Sequence, residues 1–485
     1  MIKIFPFFVI LFFFLLIPQS FGSEKNPEIL VDGYKIEKYV TDLNTPIAID
    51  FINSDIFVLQ KNDGIIHLIQ NDNLREEPVL DLEVSNYGEQ GLLGITTVDD
   101  KIYLFFTEAF HDGGLSHGNK IYEYTWNGNS ATNPKLIKSL PGWVETYNAG
   151  VMTHDLENRI FVVSGSHLTA GALQNTPLDE SGIYFTAKGY DDEKKTFSDL
   201  MDKTLSCVNV SFRHYTTNPF GFQIEQPDPS DNPFETNPFN VAVNLNSCLQ
   251  AFIFNSFSNG HWKDTSVVLQ VKPPIDSYHA IGIRNSFGIT SDPITGNLWM
   301  TENGPDKFDE INLVDNKFNS GWAKITGNIN NAQLSQIAPY EDFVYSDPEF
   351  SWELPIGITA LDFAEGPLFS KYDGWLFVAD SNHGNIYLFK LNKERNGFEF
   401  QSEHLKDLTV NIDPKNIYGN FHESMSEITF GRNLGLITDL KFGPDGALYV
   451  VSLMDISYDE SEDGSYTKGG TIYRIYPDSV QDTQK

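Results

Sequence analysis

The sequence predicts an all-β fold, a six-bladed β-propeller of four-stranded antiparallel blades. Three observations lead there. Aromatic residues make up 13% of the chain while charged residues make up only 20%, a balance that favours strands over helices. A short apolar strand followed by a second strand rich in Val, Tyr, Phe or Trp recurs six times. The copies carry hairpin-type turns such as Asp292-Pro293-Ile294-Thr295-Gly296 and Gly443-Pro444-Asp445-Gly446, where Gly, Pro and Asp supply the backbone angles that a tight reversal needs.

The first copy is Pro46–Phe51 with Asp55–Gln60 and Ile65–Leu68. The second is Leu92–Val98 with Lys101–Thr107 and Lys120–Tyr124, and the third is Val151–His154 with Arg159–Ser164. Phe287–Ser291 with Asn297–Thr301 makes a fourth. The fifth is Ile358–Phe363 with Trp375–Asp380 and Asn385–Leu391; the sixth is Ile437–Phe442 with Ala447–Leu453 and Thr471–Ile475. No strand of this length is stable alone. Repeats of about forty residues or more, built from short strands, pack as blades about an axis.

Residues 1–23 differ from the rest. Lys3 is followed by an apolar run from Ile4 to Ile17 and then by Ser20-Phe21-Gly22. This is the pattern of a cleaved signal peptide, the run being short for a membrane span, with an uncleaved membrane anchor as the alternative. The mature chain, 24–485, is therefore expected in a secreted or periplasm-like space, with no transmembrane segment. Two cysteines remain, Cys207 and Cys248. In that compartment a pair forms a disulfide more often than it stays as two buried thiols. Both lie in 168–262, a Pro/Asn/Phe-rich insertion between the third and fourth copies. The formal charge of −33 repels phosphate backbones and argues against nucleic acid as a partner.

In a propeller, the loops entering the innermost strands converge at one mouth of the axis. The richest such region runs from Ile283 to Trp322. Arg284-Asn285 precedes an inner strand, and a guanidinium beside an amide suits a planar ligand bearing carboxylates. Gly304-Pro305 offers two backbone carbonyls; with Asp306, Asp309 and Glu310 they form a hard-oxygen set of calcium type, the carboxylates alternatively capping a turn.

Arg284-Asn285-x-x-Gly288, Asn303-Gly304-Pro305-Asp306, Asp309-Glu310-Ile311-Asn312 and Gly321-Trp322, in that order, resemble the soluble pyrroloquinoline-quinone (PQQ) dependent glucose/sorbosone, or aldose sugar, dehydrogenases. So do Gly88-Glu89-Gln90-Gly91-Leu92-Leu93-Gly94 and Gly443–Val450 followed by Gly470–Ile475. The likeness spans about residues 34 to 477 and implies a six-bladed propeller. It also implies a reaction: a histidine base takes a proton from a sugar or related alcohol while hydride passes to the quinone, which Ca2+ polarises. By position, Glu89, Arg284 and Asn285 match quinone contacts and Trp352 borders the cofactor pocket. Gly304 and Pro305 match carbonyl donors to the cofactor calcium. Glu310 matches a ligand of a second calcium, with Ser320 where that site often has Tyr.

Departures from the pattern are equally specific. Tyr147 stands where the family has its histidine, and a phenol is a poor base at neutral pH; His154 is the nearest imidazole. Leu436 and Thr438 replace two arginines, and Asn382 replaces a lysine. PQQ carries three carboxylates, so these losses argue for weakened binding. They leave open a non-catalytic, calcium-stabilised propeller that binds a ligand or surface partner. The substrate and the electron acceptor are not legible in the sequence.

Overall fold

The computed structural model describes residues 26–140, 142, 145–166, 175, 278–329, 334, 335, 337, 342–410, 425–454 and 469–478, together with strands 183–187, 249–258 and 261–271. The segment expected to be a signal peptide and both cysteines lie outside the described residues.

The architecture is all-β and propeller-like. Six inner strands define its axis: Pro46–Ile52, Leu92–Val98, Ala149–His154, Gly288–Ser291, Ile358–Phe363 and Ile437–Phe442. Each packs against the next in chain order, and the last packs against the first, so the ring closes. Five of the inner strands lead sheets of four or five strands, and Ala149–His154 pairs with Ile160–Ser164 alone. Strands 183–187, 249–258 and 261–271 form a separate antiparallel sheet.

Closure of the last sheet uses an early part of the chain. Tyr34–Leu43 pairs antiparallel with Gly470–Pro477, Tyr34 opposite Pro477. Glu28–Ile29 likewise extends the fifth sheet beside Thr429–Arg432. Between sheets, aromatic and branched side chains interdigitate. Phe57, Leu59, Leu104 and Phe106 fill one contact; Phe377, Phe430, Leu440 and Tyr473 fill another.

Carboxylates stitch the inner ring together. Asp50 Oδ2 accepts from the Thr97 amide of the next strand at 2.7 Å. Asp439 Oδ2 accepts from the Ile49 amide at 2.9 Å, and Asp362 Oδ2 from the Phe442 amide at 2.9 Å. Thr290 donates to the other oxygen of Asp362 at 3.0 Å. One cation, Lys441, lies within reach of these three aspartates. Burial works against its charge, but Asp50, Asp362 and Asp439 outweigh burial and raise its pKa.

For some buried carboxyls the compensation is incomplete. Burial pushes Asp439 up to about 7 despite Lys441, and Glu349 up to about 8 although it accepts from the Leu313 amide. A carboxyl whose folded pKa exceeds its unfolded value near 4 binds more protons in the fold, so stability is greatest at low pH and is lost as pH rises through the folded pKa. The melting temperature should therefore fall between pH 5.5 and pH 8.5. A calorimetric profile that is flat or rises over that interval would contradict this.

Candidate active site at the axial mouth

Loops entering the second, third and fourth inner strands meet at one mouth. Glu89, from the loop before Leu92, is the hub. Its Oε2 accepts from the Asn148 amide at 3.2 Å and from Asn285 Nδ2 at 3.1 Å. Residues 89, 148 and 285 thus come together from three sheets. Burial raises the Glu89 pKa above the usual carboxylate range, against the pull of Asn285, the neighbouring amides and Arg284.

Arg284 lies beside this hub. Its Nη1 donates to the carbonyls of Asn303 at 2.8 Å and Gly304 at 3.1 Å, and its Nη2 donates to the Tyr147 hydroxyl at 3.2 Å. The guanidinium carbon lies 4.6 Å from the Tyr147 ring centre and 5.5 Å from that of Trp322. A cation between two aromatic faces is stabilised by their quadrupoles. Its backbone amide donates to Glu302 Oε1 at 2.7 Å. No carboxylate pairs with the guanidinium at salt-bridge distance among the described residues.

The loop carrying Tyr147 is tightly constrained. Tyr147 and Ala149 both adopt the left-handed backbone region, at φ 58° and 51°, which costs a non-glycine roughly 1–2 kcal/mol each. At Gly165 a Cβ would fall 2.1 Å from the Tyr147 carbonyl oxygen, so only glycine admits this loop.

Five polar atoms around the guanidinium are buried without a hydrogen-bond partner among the described residues: Arg284 Nε, Asn285 Oδ1, Asn303 Oδ1, Ser166 Oγ and Trp322 Nε1. Backbone bonds hold four of these residues together, Ser166 N to Arg284 O at 2.8 Å and Asn303 N to Asn285 O at 2.9 Å. Buried unpaired donors and acceptors are costly. Such a cluster fits a site whose polar ligand completes the bonding.

The acidic groups downstream of Gly304-Pro305 divide between two roles. Asp309 is fully buried. Its Oδ1 accepts from the Gly304 amide, and its Oδ2 from the amides of Ile356, Gly357 and Ile358 at 2.8, 2.7 and 3.3 Å. It clasps two loops through backbone amides, the turn-capping role that its position also allowed; burial raises its pKa to about 6. Glu310 lies directly across the strand pair from Glu302. Glu310 accepts from the Gly327 amide and from Asn312 Nδ2, and Glu302 accepts from Ser320 Oγ at 2.5 Å. Burial lifts Glu302 to about 7 and Glu310 well above its usual range, the latter also by the charge of Glu302. Two facing buried carboxylates with a nearby hydroxyl are a donor set suited to a hard cation.

Two expected residues lie elsewhere. Trp352 is fully buried in the hydrophobic core, packed on Phe350 and Tyr387, rather than lining the mouth. His154 ends the third inner strand, six residues past Asn148, a separation of roughly 20 Å along an extended chain. There it pairs with Thr96 Oγ1 at 3.1 Å, and burial lowers its pKa. The structure does not bring it to Tyr147 and Arg284.

Lys61 is a mouth residue that motif reasoning missed. It follows Asp55–Gln60, the second strand of its sheet, rather than entering an inner strand, so its position in the chain does not mark it. Its amine donates to the Gly88 carbonyl at 2.8 Å, one residue from Glu89.

Comparison with known proteins accords with this geometry. Residues 264–452 match the family described as Glucose / Sorbosone dehydrogenase. Over that segment, less than half of its length, the chain is similar to the glucose/sorbosone dehydrogenases. An aldose sugar dehydrogenase of Escherichia coli is 25% identical over 173 residues, 35% of this chain and 39% of that protein. An uncharacterized protein of Synechocystis is 24% identical over 183 residues, 37% of this chain and 36% of that one. The chain thus spans under two fifths of the length of the curated relatives it matches. Among solved structures, the soluble aldose sugar dehydrogenase of Escherichia coli in its apo form aligns over 92% of this chain and 99% of its own, at 18% identity and a TM-score of 0.53. A glucose dehydrogenase aligns over 91% and 98%, at 17% identity and a TM-score of 0.54. These likenesses carry the fold; Arg284, Asn285, Gly304, Pro305, Glu310 and Ser320 fall within the segment that matches the dehydrogenase family.

Proposed function

We propose that this chain is an exported, Ca2+- and PQQ-dependent dehydrogenase that oxidises a sugar or related alcohol, built as a single six-bladed propeller over 24–485. Six inner strands in a closed ring support the blade count, with Ala149–His154 leading the third blade. The convergence of Glu89, Asn285, Arg284 and Tyr147 on one mouth, with an unpaired buried Arg284 Nε, carries the functional reading.

Glu89, Arg284 and Asn285 would hold the quinone; the Gly304 and Pro305 carbonyls would hold its calcium, and Glu310, with Ser320 nearby, a second one. Bound there, PQQ supplies the carbonyl that accepts hydride. The chain's own part is orientation. Arg284 engages both Nη1 hydrogens and one Nη2 hydrogen with fixed partners, which leaves Nε–H and the second Nη2–H for a ligand. Tyr147 accepts from Arg284, which leaves its own O–H to donate to a substrate or cofactor oxygen. Glu89, its proton affinity raised by burial, keeps Asn285 and the Tyr147–Asn148 loop in place.

Titration of the purified protein with PQQ in the presence of calcium tests this. Binding should be followed by dye reduction with at least one aldose. Arg284→Ala should weaken PQQ binding by about a hundredfold, the loss of roughly two charged hydrogen bonds at 1.5 kcal/mol or more each. No binding at high micromolar PQQ overturns the assignment and favours a non-catalytic ligand-binding propeller, as Leu436, Thr438 and Asn382 in place of three cations would then explain.

A further inference from the structure

The cations lost at positions 382, 436 and 438 raise the question of what else at the mouth could meet an anionic ligand. Lys61 is set there with unusual firmness. Its amide donates to the Thr45 carbonyl at 2.9 Å and its carbonyl accepts from the Leu92 amide at 2.9 Å, so it bridges the first and second inner strands. Gly91 adopts φ 146°, and a Cβ there would fall 2.4 Å from the Lys61 carbonyl oxygen and 2.7 Å from its Cγ. The glycine therefore makes a cradle for this lysine. The amine donates to the Gly88 carbonyl at 2.8 Å and to Asn62 Oδ1 at 3.1 Å. An ammonium has three donors, so one remains.

We propose that Lys61 is an anion-recognising residue of the axial mouth, its ammonium taking a ligand carboxylate beside the group that Arg284 holds. This deepens the quinone reading and rests on it. Lys61 and Arg284 place two cations about Glu89 within a chain of net charge −33. That local pairing of cations suits a carboxylate. The surroundings explain why the amine would respond to one. Burial lowers the Lys61 pKa to about 8, and Glu89 only partly offsets it. Two further carboxylates belong to this neighbourhood, Asp63 and Glu145. Asp63 accepts from Asn44 Nδ2, and Glu145 meets Glu89 through its main-chain carbonyl. An arriving carboxylate would restore the charge, so binding should draw a proton onto Lys61.

Calorimetric titration with PQQ and calcium at pH 8, in two buffers of different ionisation enthalpy, reads this directly. Wild-type protein should take up a fraction of a proton per PQQ bound, since an amine whose pKa burial has lowered is partly neutral at pH 8 and becomes charged beside a carboxylate. Lys61→Met should bind PQQ at least tenfold more weakly and take up none. Lys61→Arg should recover the affinity without proton uptake, which separates recognition from a merely structural clamp and guards against a Met variant that misfolds. Equal affinity in the folded Met variant, or wild-type binding with no proton uptake at pH 8, overturns the role of Lys61 while leaving the quinone reading intact. Absence of PQQ binding to wild-type protein sinks the quinone reading itself, and this role with it.

Discussion

Asp309→Ala should cost about 3–5 kcal/mol of stability, the largest loss expected from any single truncation near the mouth. Its two oxygens accept four backbone amides from the Gly304 turn and the loop entering the fifth inner strand. Removing the carboxylate leaves those amides buried and unpaired, each at a desolvation cost of about 1–3 kcal/mol before relaxation. The loss offsets the modest relief gained by deleting a carboxyl that burial already holds at about 6. Asp309→Asn should recover only part, because one of its two terminal atoms becomes a donor facing donors. Chemical denaturation of the two variants checks both numbers. A loss below 1 kcal/mol for the alanine would show that the clasp does not hold the two loops. Because Gly304 carries one of the four amides, the same variant should also disturb the carbonyl to which Arg284 donates.

Lys441→Met should be of similar size and should depend on pH in a way the first does not. The substitution keeps the side-chain volume and removes the one cation among Asp50, Asp362 and Asp439. Breaking a buried charge cluster by deleting one partner costs about 3–5 kcal/mol, because the remaining charges stay desolvated. Here the remaining charges are carboxylates already raised by burial, and without Lys441 they rise further. Protonation relieves them, so the deficit at pH 8 should shrink towards pH 5. Melting temperatures of wild type and variant across that range decide the matter. A deficit independent of pH would mean that Lys441 contributes packing rather than charge.

What could be read from the sequence follows the physics of repetition. Alternating apolar strands and Gly/Pro/Asp turns are local signals, so the inner strands were legible within one or two residues; the inner strand Phe287–Ser291 is observed as Gly288–Ser291. The placement of Arg284 and Asn285 before that strand was enough to put them at the mouth, where Asn285 meets a Glu89 that is 196 residues away. Lys61 was not legible, because it leaves a second strand rather than entering a first, and its approach to Gly88 depends on how two sheets pack. Both readings of Asp309, cation ligand and turn cap, stood open because sequence spacing cannot tell a carboxylate facing a cation from one facing four amides. Trp352 was placed by analogy of position, and the packing of Phe350 and Tyr387 drew its ring inward. The stitching aspartates Asp50, Asp362 and Asp439 occur singly inside apolar strands, where no motif marks them.

The pairing of Tyr34–Leu43 with Gly470–Pro477 has a temporal consequence. Strands that meet across more than four hundred residues have high contact order and form slowly, after nearer pairs. During synthesis Tyr34–Leu43 leaves the ribosome long before its partner exists, and for that interval it presents an unpaired edge. Its sequence alternates Lys35, Glu37 and Lys38 with Ile36 and Tyr39, and charged side chains on an open edge discourage pairing with the wrong chain. The strand that fastens the ring thus carries its own protection for the time it must wait.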